Sequence, residues 1–137
     1  MINKVTTTWQ SNMQFESTNQ GGNLMISAGE KSDGKGYRPK SLMLSALAGC
    51  SGLDVVSLLK KMRAEVDSFT IDIEANLTEE HPKYYDKVNI IYNFYGTDFK
   101  KDKIEKAVNL SVDRYCGVIE MFRQFAKITT EIRYFNA

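Results

Sequence analysis

From Ser41 to Leu59 the chain reads SLMLSALAGCSGLDVVSLL, and Asp54 is the one charged residue in it. Apolar side chains fall on every face at helical spacing, so a helix here is expected to be buried all round, with the rest of the chain wrapped about it. Pro39 suits the first turn, where its missing N–H removes no intrahelical bond. Lys60, Lys61 and Arg63 gather at the far end, as the negative pole of a helix prefers. A helix from Pro39 to Arg63 would run roughly 37 Å, long for a chain of 137 residues. At its centre Ala46, Ala48, Gly49, Cys50, Ser51 and Gly52 are all small, and each glycine costs about 1 kcal/mol against alanine in a helix interior. Close helix packing or a reactive centre would offset that cost. A membrane span is excluded on polarity, because four serines, two glycines and Asp54 interrupt the run.

The length fits one domain, residues 1–137, with a real core. With 26% charged residues and a formal net charge of +1, the chain has no polybasic run, which excludes a nucleic-acid or membrane-surface protein. The opening MINKVTTTW lacks the apolar core of a signal peptide, so a cytoplasmic location is expected. Cysteines there are kept reduced. Two of them, far apart and without CxxC spacing, are too few for a disulfide scaffold.

Met1 to Trp9 is rich in β-branched residues and reads as an opening strand. Met13–Glu16 and Leu24–Ala28 flank Asn19-Gln20-Gly21-Gly22 and read as a hairpin, since glycine takes the positive φ that tight turns need. Gly29 to Gly36 is a polar loop without the order of a phosphate-binding loop. Phe69, Ile71 and Ile73 alternate with Thr70, Asp72 and Glu74; Val88, Ile90, Tyr92 and Phe94 share one face of the next strand, so Ser68 to Tyr95 is a hairpin. Lys100 to Cys116 returns to helical spacing, with Ile104, Ala107, Val108, Leu110 and Val112 on its apolar side and Asp98 as its cap. Gly117 marks a break, Val118 to Phe125 is a short helix, and Ile128 to Phe135 closes the chain as a strand. Trp9, Tyr84, Tyr85, Tyr92, Phe94 and Tyr95 read as strand core, or as the walls of an apolar pocket.

Cys50 is the first candidate for chemistry, although a lone cysteine on an apolar helix is ordinarily inert filler. Cys116 changes the balance. It lies at a helix boundary, where side chains become exposed and a helix N-terminus lowers a thiol pKa. A reactive pair would let one thiolate reduce a peroxide and become a sulfenic acid that the other resolves as a disulfide. Asp54 follows Cys50 by one helical turn, about 5 to 6 Å away between Cβ atoms. Its carboxylate would oppose thiolate formation, so a reactive Cys50 needs a cation. The structural alternative is a buried Asp54 capped by backbone or hydroxyl donors, Ser57 or Ser51 among them. Arg38 lies about 18 Å along the helix from Cys50, out of reach of its own thiol but able to approach a neighbouring subunit's if two such helices pack antiparallel. Arg114 is nearer Cys116, while Arg63 and Arg123 read as solvated. His81, beside Pro82 in a polar turn, reads as a surface residue. No Cys/His spacing supports a metal site, so no metal or cofactor is expected. Ser/His/Asp chemistry lacks a nucleophile elbow.

At Pro39, Leu42, Leu44, Ala46, Ala48, Gly49 and Cys50 the chain resembles the OsmC/Ohr family of osmotically inducible and organic hydroperoxide resistance proteins. ALAGCSGLDVVSLLKKMR is similar to the branch in which a Gly-Cys pair is followed four residues on by Asp-Val. The resemblance implies an α/β (α+β) fold in which two protomers intertwine, with long central helices back to back between curved antiparallel sheets and two sites at the subunit interface. A homodimer would also cover a helix apolar on all faces. The family's activity is thiol-dependent reduction of hydroperoxides, organic ones preferred, and by position Cys50 would be peroxidatic and Cys116 resolving. The chain departs from the family where proven peroxidases carry a glutamate just after the helix-starting proline, which holds an arginine from the N-terminal region. Here those positions are Lys40 and Ser41, residues 1–37 contain no arginine, and Arg38 is the candidate substitute.

Two functions from different classes fit. One is a cytoplasmic, homodimeric thiol peroxidase that acts on a small hydroperoxide, restored by a thiol reductant, with Cys50, Cys116, Arg38 and Asp54 in its site. The other is a non-catalytic dimer that binds a small apolar or electrophilic ligand, or senses redox state through its cysteines.

Overall fold

A computed structural model describes residues 1–28 and 35–136. The loop expected at Gly29–Gly36 falls largely outside them. Two compact units are distinguished, Met1–Met43 and Leu44–Ala137.

The first unit holds an antiparallel sheet of β1 (Thr6–Ser11), β2 (Gln14–Asn19) and β3 (Gly22–Ser27), in that order. The opening strand therefore starts at Thr6, and not at Met1. Asn19 closes the β2–β3 turn, where its side-chain oxygen accepts the backbone N–H groups of Gly21 at 2.7 Å and Gly22 at 3.1 Å. Trp9 pairs across the strands with Phe15 yet is 63% exposed, so it is no core residue of this unit. Tyr37 returns beside β3, donating to Met25 O and accepting from Ser27 N, both at 2.9 Å.

Helix α1 runs Pro39–Lys61, and most of it belongs to the second unit. It ends two residues before Arg63 in a Schellman arrangement. Arg63 takes φ of 55°, Ala64 N donates to Leu59 O at 2.9 Å and Arg63 N to Lys60 O at 3.2 Å. Lys100 and Lys103 then donate to the last free carbonyls, those of Arg63 at 2.9 Å and Met62 at 3.0 Å.

Burial all round is not what α1 shows within the chain. Leu47, Ser51, Val55 and Leu59, one turn apart, form its buried stripe, while Met43, Leu53 and Val56 on other faces are 44%, 76% and 51% exposed. By length and composition α1 could cross a bilayer; that buried stripe packs instead into the protein core.

The second sheet has the order β4 (Ser68–Leu77), β5 (Tyr85–Gly96), β6 (Lys127–Asn136). β4 and β5 are antiparallel, and β6 lies parallel to β5. The alternation of Phe69, Ile71 and Ile73 with Thr70, Asp72 and Glu74 becomes half-buried against exposed, as expected. β5 is central, and Val88, Ile90, Tyr92 and Phe94 on its inner face are 0–1% exposed. Phe94 sits in register between Phe69 and Tyr134 and stacks on both, at centroid distances of 5.4 and 6.1 Å. Tyr84, in contrast, is 51% exposed at the hairpin loop.

Between β5 and β6 come α2 (Lys101–Leu110), a π-helical turn α3 (Ser111–Tyr115) and a short helix α4 (Gly117–Arg123). Lys100 occupies the N-cap of α2 with no side-chain cap bond, so Asp98, at φ of 52°, is not the cap. Ile104, Ala107, Val108, Ile119 and Phe122 enter the core alongside Leu47, Val55, Ile90 and Phe94.

Candidate functional site

The site is built where the centre of α1, the inner face of β5 and the end of α2 converge. Ser111 starts the π-helical turn, and its carbonyl accepts the N–H of Cys116, five residues on, at 2.9 Å. A π turn holds one residue more than an α turn and ends the helix with a displaced backbone. Cys116 leaves it extended, at φ −78° and ψ 102°, and becomes the N-cap of α4, where its Sγ accepts Ile119 N–H at 3.4 Å. The result is a thiol turned inward, 4% exposed. Exposure at a helix boundary was the expectation; the π turn reverses it.

Cys50, half-buried on α1, is near enough to that thiol to shift its pKa. Both cysteines are free. The Cys116 thiol is pushed up to about 12, first by burial and then by the neighbouring Cys50 side chain, against weaker opposing contributions from the backbone of Ile119 and Val118. It holds its proton at neutral pH, where a helix N-terminus alone would have lowered its pKa.

Beside the sulfurs lies a chain of hydroxyls. Tyr92 Oη is 2.6 Å from Ser51 Oγ, Ser51 Oγ is 2.8 Å from Ser111 Oγ, and Ser111 Oγ donates to Asp54 Oδ2 at 3.0 Å. Ser51, Tyr92 and Ser111 are each 0% exposed. An ionised Asp54 only accepts, so the Ser111 proton points to it; Ser111 then accepts from Ser51, and Ser51 from Tyr92. Every hydroxyl proton is committed in one direction. Tyr92 is raised to about 12, chiefly by burial, with the Cys116 and Asp54 charges adding to the rise and the Ser51 bond opposing it.

Asp54 is thus held by Ser111, not by Ser51 or Ser57 directly. Tyr92 reads from sequence only as strand core or pocket wall and Ser111 not as a site residue, although Ser111 continues the buried i, i+3, i+4, i+7 face of Ile104, Ala107 and Val108 as its one polar member. Arg38 lies in the first unit, just before α1, with its Nε donating to Ala28 O at 2.8 Å. Arg114 is exposed. Arg123 donates to Val112 O at 2.6 Å and pairs at 3.8 Å with Asp113. His81 is exposed in the β4–β5 loop. Among the described residues no group of three or more His, Cys, Asp or Glu side chains comes together to hold a metal.

A long helix against a three-stranded sheet, with a cysteine at mid-helix and a second at the head of a short helix, is an arrangement that the resemblance to the OsmC/Ohr family implies. The sequence agrees: residues 32–131 match the family described as OsmC-like protein, and the chain belongs to that family. It is 31% identical to protein YhfA of Escherichia coli K12 over 121 residues, which cover 88% of this chain and 90% of YhfA. Among solved structures, a hypothetical protein from Aquifex aeolicus VF5 superposes with a TM-score of 0.89 at 28% identity, covering 100% of this chain and 98% of that one. The organic hydroperoxide resistance protein OhrB of Bacillus subtilis shares the fold, with a TM-score of 0.68 at 18% identity over 97% of this chain and 98% of its own.

Proposed function

We propose that this chain is a thiol-dependent peroxidase that reduces organic hydroperoxides through Cys50 and Cys116. The observation that supports it best is that two free cysteines, 66 positions apart in sequence, lie close enough for Cys50 to raise the pKa of Cys116. In this reading the half-buried Cys50 attacks as thiolate on the distal peroxide oxygen: an S–O bond forms, the O–O bond breaks, and the departing alkoxide takes a proton to leave as alcohol. Cys116 then attacks the sulfenic sulfur. The S–S bond forms as the S–O bond breaks, and the hydroxide leaves as water with the proton Cys116 held. A small thiol reductant returns both sulfurs to the start. Cys116 belongs to the apolar core, and Cys50, Val112 and Val118 pack partly buried against it; in this reading that setting favours an organic over an inorganic peroxide.

Two copies complete the assembly in this reading. The exposed apolar side chains Met43, Leu53 and Val56 of α1 give a second copy a surface to cover. Arg38 of a neighbouring copy supplies the cation that keeps Cys50 ionised despite Asp54. We assign residues 1–137 to one OsmC-like domain and place the reaction in the cytoplasm, where both thiols stay reduced.

Rapid mixing of reduced protein with cumene hydroperoxide, followed by thiol counting and peptide mass spectrometry, tests the proposal. Loss of two thiols to a Cys50–Cys116 bond, abolished by Cys50→Ser, is expected. Unchanged thiols at millimolar peroxide would leave the binding module, or a slow sensor, as the better reading; the burial of Cys116 is the observation on that side.

A further inference from the structure

The hydroxyl chain has a relation to the two cysteines that their chemistry alone does not require. Ser51 follows Cys50 directly on α1. Ser111 is tied to Cys116 through the 2.9 Å backbone bond that closes the π turn. The 2.8 Å bond between Ser51 and Ser111 therefore links the two cysteine-bearing segments through hydroxyls, one covalent step from the first thiol and one hydrogen bond from the second. Ser111 Oγ also lies 3.4 Å from the Ser51 carbonyl, but its one proton goes to the nearer Asp54, so it holds α1 through the Ser51 and Asp54 side chains. Tyr92 fixes the same Ser51 oxygen from the sheet at 2.6 Å. Asp54, one turn beyond Cys50, fixes Ser111.

Stability gives little reason to bury three hydroxyls here. Replacing both partners of a buried hydrogen bond with apolar groups of the same shape is nearly neutral. Geometry gives a better one. A disulfide forms only when its Cα atoms are about 4.4 to 6.8 Å apart with the right Cβ directions. Apolar packing is non-directional, whereas a chain of hydroxyls with every proton committed holds α1, β5 and the π turn at fixed separations.

We propose that Ser51, Ser111 and Tyr92, anchored by Asp54, are positioning residues that hold Cys50 and Cys116 at disulfide-forming separation and so set how readily the pair closes. This rests on the reading of the pair as redox-active, but not on peroxide being its oxidant. With oxidised glutathione, Cys50 thiolate displaces one glutathione thiolate and forms a mixed disulfide. Cys116 sulfur then displaces the second, and its proton goes to that leaving thiolate. Two cysteines are oxidised and one disulfide is reduced to two thiols.

The test equilibrates the full chain in glutathione buffers at pH 7.5 and quantifies the Cys50–Cys116 bond by alkylation and mass spectrometry. Ser111→Ala is expected to lower the equilibrium constant about tenfold, a rise in potential of about 30 mV, and Tyr92→Phe about threefold. In a Cys116→Ser background neither change should move the alkylation rate of Cys50 by more than about twofold, since the separation of the sulfurs is altered and not the reactivity of one. Folded variants whose equilibrium constants match the wild type would overturn the proposal. So would unfolding of both, because the hydroxyls would then hold the core and not the pair. A wild-type chain that makes no such bond in fully oxidised buffer overturns it too. A normal glutathione equilibrium with no reaction toward alkyl hydroperoxide would instead sink the peroxidase reading and leave the positioning role standing.

Discussion

Ser51 Oγ and Ser111 Oγ lie 2.8 Å apart, fully buried, and join the middle of α1 to the first residue of the π turn. Residues 60 positions apart in sequence thereby hold the two cysteine-bearing segments together. Asp54, whose charge beside Cys50 looked adverse to a thiolate, is occupied at this junction in accepting from Ser111.

If Cys50 is the attacking sulfur, Cys50→Ser should cut peroxide-dependent thiol loss by about a hundredfold or more. Cys116→Ser should leave the first step intact and trap a sulfenic acid on Cys50, read by dimedone adduction and mass spectrometry. Adducts on Cys116 in place of Cys50 would reverse the assignment.

Burial of Cys116 fixes the direction of an alkaline effect. Its thiol rises from 9.0 to about 12 and Tyr92 from 10.0 to about 12, so between those values the native state keeps protons the unfolded chain has released. Stability therefore falls as pH rises from about 9 toward 12. Urea titrations across that range should show the decline, and Cys116→Ala should flatten its lower part. At pH 8 iodoacetamide should modify Cys116 at least about tenfold more slowly than free cysteine.

The exposed side of α1 provides a test of assembly. Leu53 is 76% exposed in the chain, so if two copies pair through α1, Leu53→Glu should leave the circular dichroism of the protein unchanged while sedimentation shifts from dimer to monomer. An unaltered dimer would place the interface elsewhere. Leu47→Ala, on the buried stripe, should by contrast cost about 2 to 5 kcal/mol in urea unfolding.

Gly36 has φ of 113°, and a Cβ there would lie 2.7 Å from Met25 O. Gly36→Ala should destabilise the first unit by about 1 kcal/mol or more, through both the strained backbone and the clash. Faster proteolysis between β3 and α1, with cleavage of the second unit unchanged, is the expected readout.

Local chemistry determined much of this protein from sequence alone. Alternation fixed β4 and the inner face of β5, Asn19-Gln20-Gly21-Gly22 fixed the β2–β3 turn, and the Pro39 start with basic residues at the other end framed α1 to within two residues of its observed end. Those signals depend on neighbours a few positions away. The motif around Cys50 likewise carried the family.

Only tertiary structure decided the rest. Which side of α1 is covered depends on what packs there, and a helix apolar on every face does not say; nor does alternation tell that β6 runs parallel to β5. The direction of the Cys116 thiol was set by a π turn, a hydrogen-bonding choice between i→i−4 and i→i−5 that leaves no periodic trace. Asp54 found its donor on Ser111 because the fold, and not the helix they do not share, brings those two side chains to 3.0 Å.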